Sequence, residues 1–187
     1  MKAINNFENV QATTGEFSRP TAGGYIIKIL DVFDVPLDAN DKGNYLRIDY
    51  DIADGEFANY YTEQNKRWGG DWYTNFILSY KEKALGMFKH FINCVEESNK
   101  GFSWDWNEKA LIGKRVGVVL REEEYIKNDG SVGSRLKVYS VKTVKQIEDG
   151  DFDVPAKKTA ENVPNAQPTA ATSQPFVVIE ADEDLPF

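Results

Sequence analysis

The chain has 187 residues, the length of one domain plus extra or of two very small domains, and 41% apolar and 13% aromatic residues are enough for a real core. Its formal net charge is −8, and residues 151–187 supply seven acids against two bases, so the first 150 residues carry only −3. That excludes a uniformly basic nucleic-acid footprint but leaves room for a local basic groove. The single cysteine, Cys94, rules out an intrachain disulfide framework. No apolar run nears the roughly 20 residues of a membrane span. The first residues carry no apolar leader either, so a soluble, cytoplasmic protein is expected.

Residues 1–22 are mixed and polar, with Gly15 and Pro20 as breakers, and read as an N-terminal arm from which Phe7 and Phe17 are expected to dock. Gly23 and Gly24 open a first strand at 25–33, nearly continuous in apolar residues. A loop rich in Asp and Asn follows at 36–43. The second strand, 45–52, alternates cleanly. Leu46, Ile48, Tyr50 and Ile52 share one face, while Tyr45, Arg47, Asp49 and Asp51 share the other. Asp54-Gly55 signals a hairpin into a third strand at 57–62. Residues 63–75 then read as a long loop, with Trp68, Trp72 and Tyr73 around a Gly-Gly pair. Phe76, Ile77 and Leu78 lead into a helix over 80–97, whose Ala84, Leu85, Phe88, Phe91, Ile92 and Val95 follow helical spacing.

Trp104 and Trp106 flank Asp105 and are expected to pack in the core. A short apolar turn at 110–112 precedes a fourth strand, 115–121, continuing toward Ile126. Asn128-Asp129-Gly130 is a strong hairpin signal, and a fifth strand spans 134–141. The folded body, residues 23–150, should end there. Residues 151–181 form a linker, of which 155–175, rich in Ala, Pro, Thr, Asn, Gln and Ser, should be disordered, with an apolar island at 176–179. The order strand, strand, strand, helix, strand, strand is that of the OB-fold, a five-stranded barrel with a helix between strands three and four. The alternative is another small α+β sheet.

Little in the chain suggests catalysis. His90 is the only histidine and lies mid-helix, one turn from Cys94, with nothing to orient the pair. Zinc needs more Cys and His than are present, and no phosphate loop or zincin motif occurs, so no cofactor or metal is expected. Glu122, Glu123 and Glu124 alternate across a strand, cannot converge easily on Mg²⁺, and read as a solvated strand end. Two places instead combine cations with aromatic rings, the pairing that holds single-stranded nucleic acid by stacking and phosphate contact. One is the fourth–fifth strand hairpin. There Arg115 and Arg121 face outward on one strand, Arg135, Lys137 and Tyr139 on the other, and Tyr125 and Lys127 lie near the turn. The other is the loop with Lys66, Arg67, Trp68, Trp72 and Tyr73. Arg47 is a weaker third candidate. The plain alternatives are a solvated outer face for the hairpin and packing over a barrel end for Trp68 or Trp72.

The last residues, Asp182, Glu183, Asp184, Leu185, Pro186 and Phe187, run three acids into an apolar, aromatic end. Such a tip suits capture by another protein, with Phe187 in an apolar pocket and the carboxylates near bases. A solvated acidic tail is the alternative. The tip resembles the terminal peptide of bacterial and phage single-stranded DNA-binding proteins, which recruits replication and repair proteins. Phe91 to Asn99, Gly113 to Gly117, Arg121 to Tyr125 and Asn128-Asp129-Gly130 also resemble a family of phage early-region proteins of Gram-positive hosts. Genes for these lie near replication and recombination genes, and several are regarded as single-stranded DNA-binding proteins. This resemblance covers about residues 20–155. It implies an OB-fold, single-stranded DNA as ligand, replication or recombination proteins as partners, and the host cytoplasm as location. Cellular members pair their barrels, so a homo-oligomer is implied too, although no residue marks an interface. Their usual motifs in the first strands are missing, and no single DNA contact is carried over. A rival reading is a protein adaptor of the same machinery that does not touch DNA.

Overall fold

The computed structural model describes residues 18–38, 43–69 and 74–160. Five strands form one antiparallel sheet: β1 (Gly23–Val35), β2 (Tyr45–Ile52), β3 (Thr74–Ser79), β4 (Arg115–Ile126) and β5 (Val132–Lys142). Their order across the sheet is β3-β2-β1-β4-β5. The helices are few: α1 (Tyr60–Trp68), α2 (Leu85–Ser98) and α3 (Val144–Glu148), with short 3₁₀ turns at Glu82–Ala84 and Glu108–Leu111. Four of the strands and the main helix fall where the hydrophobic pattern puts them. In β2 the inward set Leu46, Ile48, Tyr50 and Ile52 is fully buried. Leu46, Ile48 and Tyr50 join Ile27, Ile29 and Val32 of β1, Phe76 and Leu78 of β3, Val116, Val118 and Leu120 of β4, and Phe88, Phe91, Ile92 and Val95 of α2 in one core cluster. One member of the expected helix face differs: Leu85, at the first turn of α2, is exposed. Among the described residues no helix is long and apolar enough to cross a membrane.

The third strand is displaced. Residues 57–62 do not form one; they make a turn and the start of α1, and β3 is built instead from Thr74–Ser79, which pairs with β2 from Tyr45↔Ser79 to Tyr50↔Thr74. Phe76 and Leu78, expected to lead into the helix, are core strand residues. The cause is Asp51. Its buried carboxylate accepts the Tyr61 N–H at 3.1 Å and the Thr62 N–H at 2.8 Å. It thereby satisfies amides that the first turn of a helix leaves free. Asn59 supplies no side-chain cap of its own and sits at φ 58. The aromatic run then packs edge-on, Phe57 against Tyr25 at 6.4 Å and Tyr61 against Tyr50 at 6.2 Å, instead of alternating across a sheet. Replacing Asp51 by alanine should cost about 2–3 kcal/mol, since both a cap and charge-assisted hydrogen bonds are lost. A lower urea midpoint with an unchanged slope would register that loss.

The body continues past residue 150. Thr143 and Gln146 form a reciprocal capping box that starts α3. The chain then crosses the outer face of the sheet, where the Phe152 ring occupies the space over Gly24 and Ile147 lies over Gly117. Pairing of β1 with β4 stops at Leu120, and β4 runs on for six residues with that edge vacant. Lys158 fills it in parallel: its N–H donates to the Glu122 carbonyl at 3.0 Å, and the Glu124 N–H donates to its carbonyl at 2.9 Å. Residues 155–160, expected to be disordered, are therefore part of the sheet's surround. The remainder of that expected segment, the apolar island and the tip lie outside the described residues.

Candidate nucleic-acid interface

The outward faces of β4 and β5 bring most of the hairpin candidates together. The register pairs Arg121 with Lys137, Glu123 with Arg135 and Tyr125 with Gly133, so all six positions share one face. A register shift opposite Val119 and Leu120 leaves Tyr139 as the extra residue on β5, and its ring lies under the Arg121 guanidinium at 4.8 Å. One step along, Arg135 lies over the Tyr125 ring at 5.2 Å. Gly133 lets this happen: a Cβ there would fall 2.7 Å from the Tyr125 ring. The hairpin tip adds exposed Lys127, Ile126 and Val132. The turn itself is fixed by Asp129, whose carboxylate accepts the Ser131 N–H at 2.9 Å.

Glu123 is at the centre of this face, and there the expectation of a solvated acid run is corrected. It is only 8% exposed and binds both Arg121 and Lys137, the latter at 3.0 Å. Burial pushes its carboxyl up, but the hydrogen bonds from Arg121 and Lys137 outweigh that and hold it below the usual carboxylate range. Lys137 is drawn below the ordinary lysine value by burial, with Arg135 and Lys158 adding repulsion, although Glu123 pulls the other way. Three cations and one carboxylate therefore share the strip, which leaves it net positive. Glu122 and Glu124 point to the opposite face and are tied to Lys157 at 3.0 and 2.9 Å. They do not oppose the cations.

The other candidates are not gathered here. Arg115 starts β4 at its far end and pairs with Asp54. Arg47 is held at 3.0 Å by Asp49 and stacks over Phe33 at 4.1 Å, a ring that Lys109 also approaches at 5.0 Å. Lys66 and Arg67 lie exposed on the last turn of α1, with Lys66 paired to Glu63 at 2.8 Å, and Trp68 closes that helix. Trp72 and Tyr73 lie outside the described residues, as do Asp182, Glu183, Asp184, Leu185, Pro186 and Phe187. The acid run was expected to be a solvated strand end, so both the burial of Glu123 and its role as the shared partner were missed. Lys158 gave no signal, since it reaches the site through an irregular segment.

No protein-family model matches the chain, and no curated protein sequence matches it either.

His90 Nε2 lies 3.0 Å from the Val141 carbonyl, which can only accept, so that nitrogen carries the proton. The lone pair is then on Nδ1, 4.0 Å from the Cys94 sulfur, and burial pushes that thiol up to about 11. Among the described residues no group of three or more His, Cys, Asp or Glu side chains is placed to hold a metal ion.

Proposed function

We propose that this chain is a single-stranded DNA-binding protein of the phage type, which coats DNA with its body and recruits replication or recombination proteins through Asp182 to Phe187. The observation that carries the reading is the β4–β5 face. Two guanidinium-capped tyrosines, Arg121 over Tyr139 and Arg135 over Tyr125, line a strip with Lys137. Guanidinium planes and aromatic rings both accept stacked bases, and the cations answer the phosphates.

The topology supports the same reading. An OB barrel unrolled between its third and fifth strands gives the order β3-β2-β1-β4-β5. A long bulged β1 that pairs with β2 along one half and β4 along the other suits such a barrel, as does a helix between β3 and β4. In this fold the hairpin joining strands four and five is a usual place for oligonucleotides.

The test is tryptophan fluorescence and labelled oligo-dT anisotropy at two salt concentrations. Binding that weakens steeply with salt is expected. Tyr125→Ala and Tyr139→Ala should each weaken it about 5- to 150-fold, the range of one lost stacking contact at roughly 1–3 kcal/mol. No response at low salt would overturn the proposal. The net −3 of the first 150 residues favours the second reading, an adaptor whose body binds protein instead of DNA. In that case the tyrosine variants would leave DNA binding absent and partner capture reduced.

A further inference from the structure

Trp106 is expected from its sequence to pack inward, yet it is 81% exposed. Its backbone sits at φ 69, a conformation that a bulky side chain seldom adopts. One face of the indole rests on Trp104, with ring centres 4.7 Å apart, and the other is open. Trp104 in turn stands edge-on to Phe88 at 5.4 Å, and Phe88 to Tyr80 at 5.8 Å, so a ladder of rings connects the surface indole to the core. The Tyr80 hydroxyl donates to Asp34 at 2.8 Å. The loop is pinned on both sides of Trp106. The Trp104 N–H donates to Glu96 at 2.8 Å, the Asn107 N–H donates to Asp105 at 3.3 Å, and the Asn107 side chain caps the turn Glu108–Leu111. The indole is thus presented rigidly, at little ordering cost to a partner.

The charges around this ladder are acidic. Asp105 precedes the ring in the chain and accepts the Asn107 N–H, Glu96 accepts the Trp104 N–H, and Asp34 and Glu108 both lie near enough to Tyr80 to act on its hydroxyl. Lys109, the nearest cation along the chain, is engaged by Asp31 at 3.1 Å and by the Val32 carbonyl. A nucleic-acid strand would meet carboxylates here, opposite to the β4–β5 strip. We propose that Trp106 anchors a docking surface for a cationic segment of a partner protein, with an arginine or lysine side chain stacked on the open indole face and Asp105 and Glu108 answering its charge. This surface uses neither the strip's residues nor those of the C-terminal tip, and it does not depend on DNA binding.

The probe is a fluorescein-labelled hexapeptide of alternating arginine and glycine, titrated by anisotropy into the full chain. Trp106→Gly suits the positive φ and removes an exposed ring, so the fold should persist, as a melting curve will show. It should weaken peptide binding about three- to thirtyfold, the range of a cation–aromatic contact. The pair Asp105→Asn with Glu108→Gln should weaken it also, and carries the test alone if Trp106→Gly does not fold. Wild-type protein that ignores the peptide overturns the proposal. Equal affinity in the variants overturns it too, since the net negative charge would then explain the binding. Loss of oligo-dT binding in Trp106→Gly with peptide binding intact would assign the ring to nucleobases, and overturns it as well.

Discussion

Gly117→Val should be among the most damaging single substitutions in the body, with a loss of about 3 kcal/mol or more. Gly117 faces outward on β4, where α3 crosses the sheet. A Cβ there would stand 2.5 Å from Ile147 Cγ1, 2.6 Å from the Thr143 carbonyl oxygen and 3.0 Å from that of Lys142. Two of those three neighbours are backbone, held by the β4–β5 ladder and by the α3 capping box. They cannot swing aside as a side chain would. The strand must shift, which disturbs Val116 and Val118 in the core, or α3 must lift off. Thermal unfolding should register the loss as a drop of roughly 6–12 °C for a body of this size. Gly24→Ala is the informative contrast. The three atoms nearest its added methyl all belong to the ring of Phe152. That ring can turn away, so the loss should be near 1 kcal/mol, and residues 151–160 should become easier to cleave by protease while the sheet stays intact. A Gly117→Val protein that melts with the wild type would show that α3 does not hold its place on β4.

These two glycines also show how far the sequence could be read. A glycine within a strand pattern marks either a bulge or a close approach. The signal was present at Gly24 and Gly117, but only the structure identifies what approaches. Alternation was sufficient for β2, and with the Asn128-Asp129-Gly130 turn for β4 and β5, because a period of two with one buried face admits a single register. It failed at residues 57–62, where Phe, Tyr and Thr favour a strand by propensity. The carboxylate that starts a helix there, Asp51, lies on the preceding strand ten residues before Tyr61. Local propensity is a weak guide when a tertiary contact supplies the cap. The candidate site was legible to the same degree. The outward set Arg121, Arg135, Lys137 and Tyr139 follows from alternation. Glu123 follows too, but burial decides whether an outward acid is solvated or shared, and burial is set by the neighbouring strand. Trp106 was unreadable because its exposure depends on one left-handed backbone residue in a loop.

Glu123→Gln should move stability and DNA affinity in opposite directions. In the folded protein the carboxylate is shared by Arg121 and Lys137, whose side chains are each 18% exposed. Removing its charge leaves two cations confronting Arg135 and each other in a half-dry setting. Breaking a fully buried pair costs about 3–5 kcal/mol; with partners that keep some contact with water, a loss of about 1–3 kcal/mol is expected. The pH dependence has a fixed sign. Because folding holds the Glu123 carboxyl below its ordinary value, its contribution is complete above the unfolded value of about 4.3 and fades as pH falls through the lower, folded one. The wild type should therefore lose this increment below about pH 4, and Glu123→Gln should show a flatter acid limb. If the β4–β5 strip holds the DNA backbone, the same substitution frees two cations for phosphates. Oligo-dT affinity at low salt should rise, and the slope of log affinity against log salt should steepen by up to about one. A carboxylate that only props up the hairpin would give the stability loss and the flatter acid limb with no gain in DNA binding. That outcome would point to a strand-binding surface elsewhere on the sheet, such as the Phe33, Arg47 and Lys109 cluster, another stack of ring and cations.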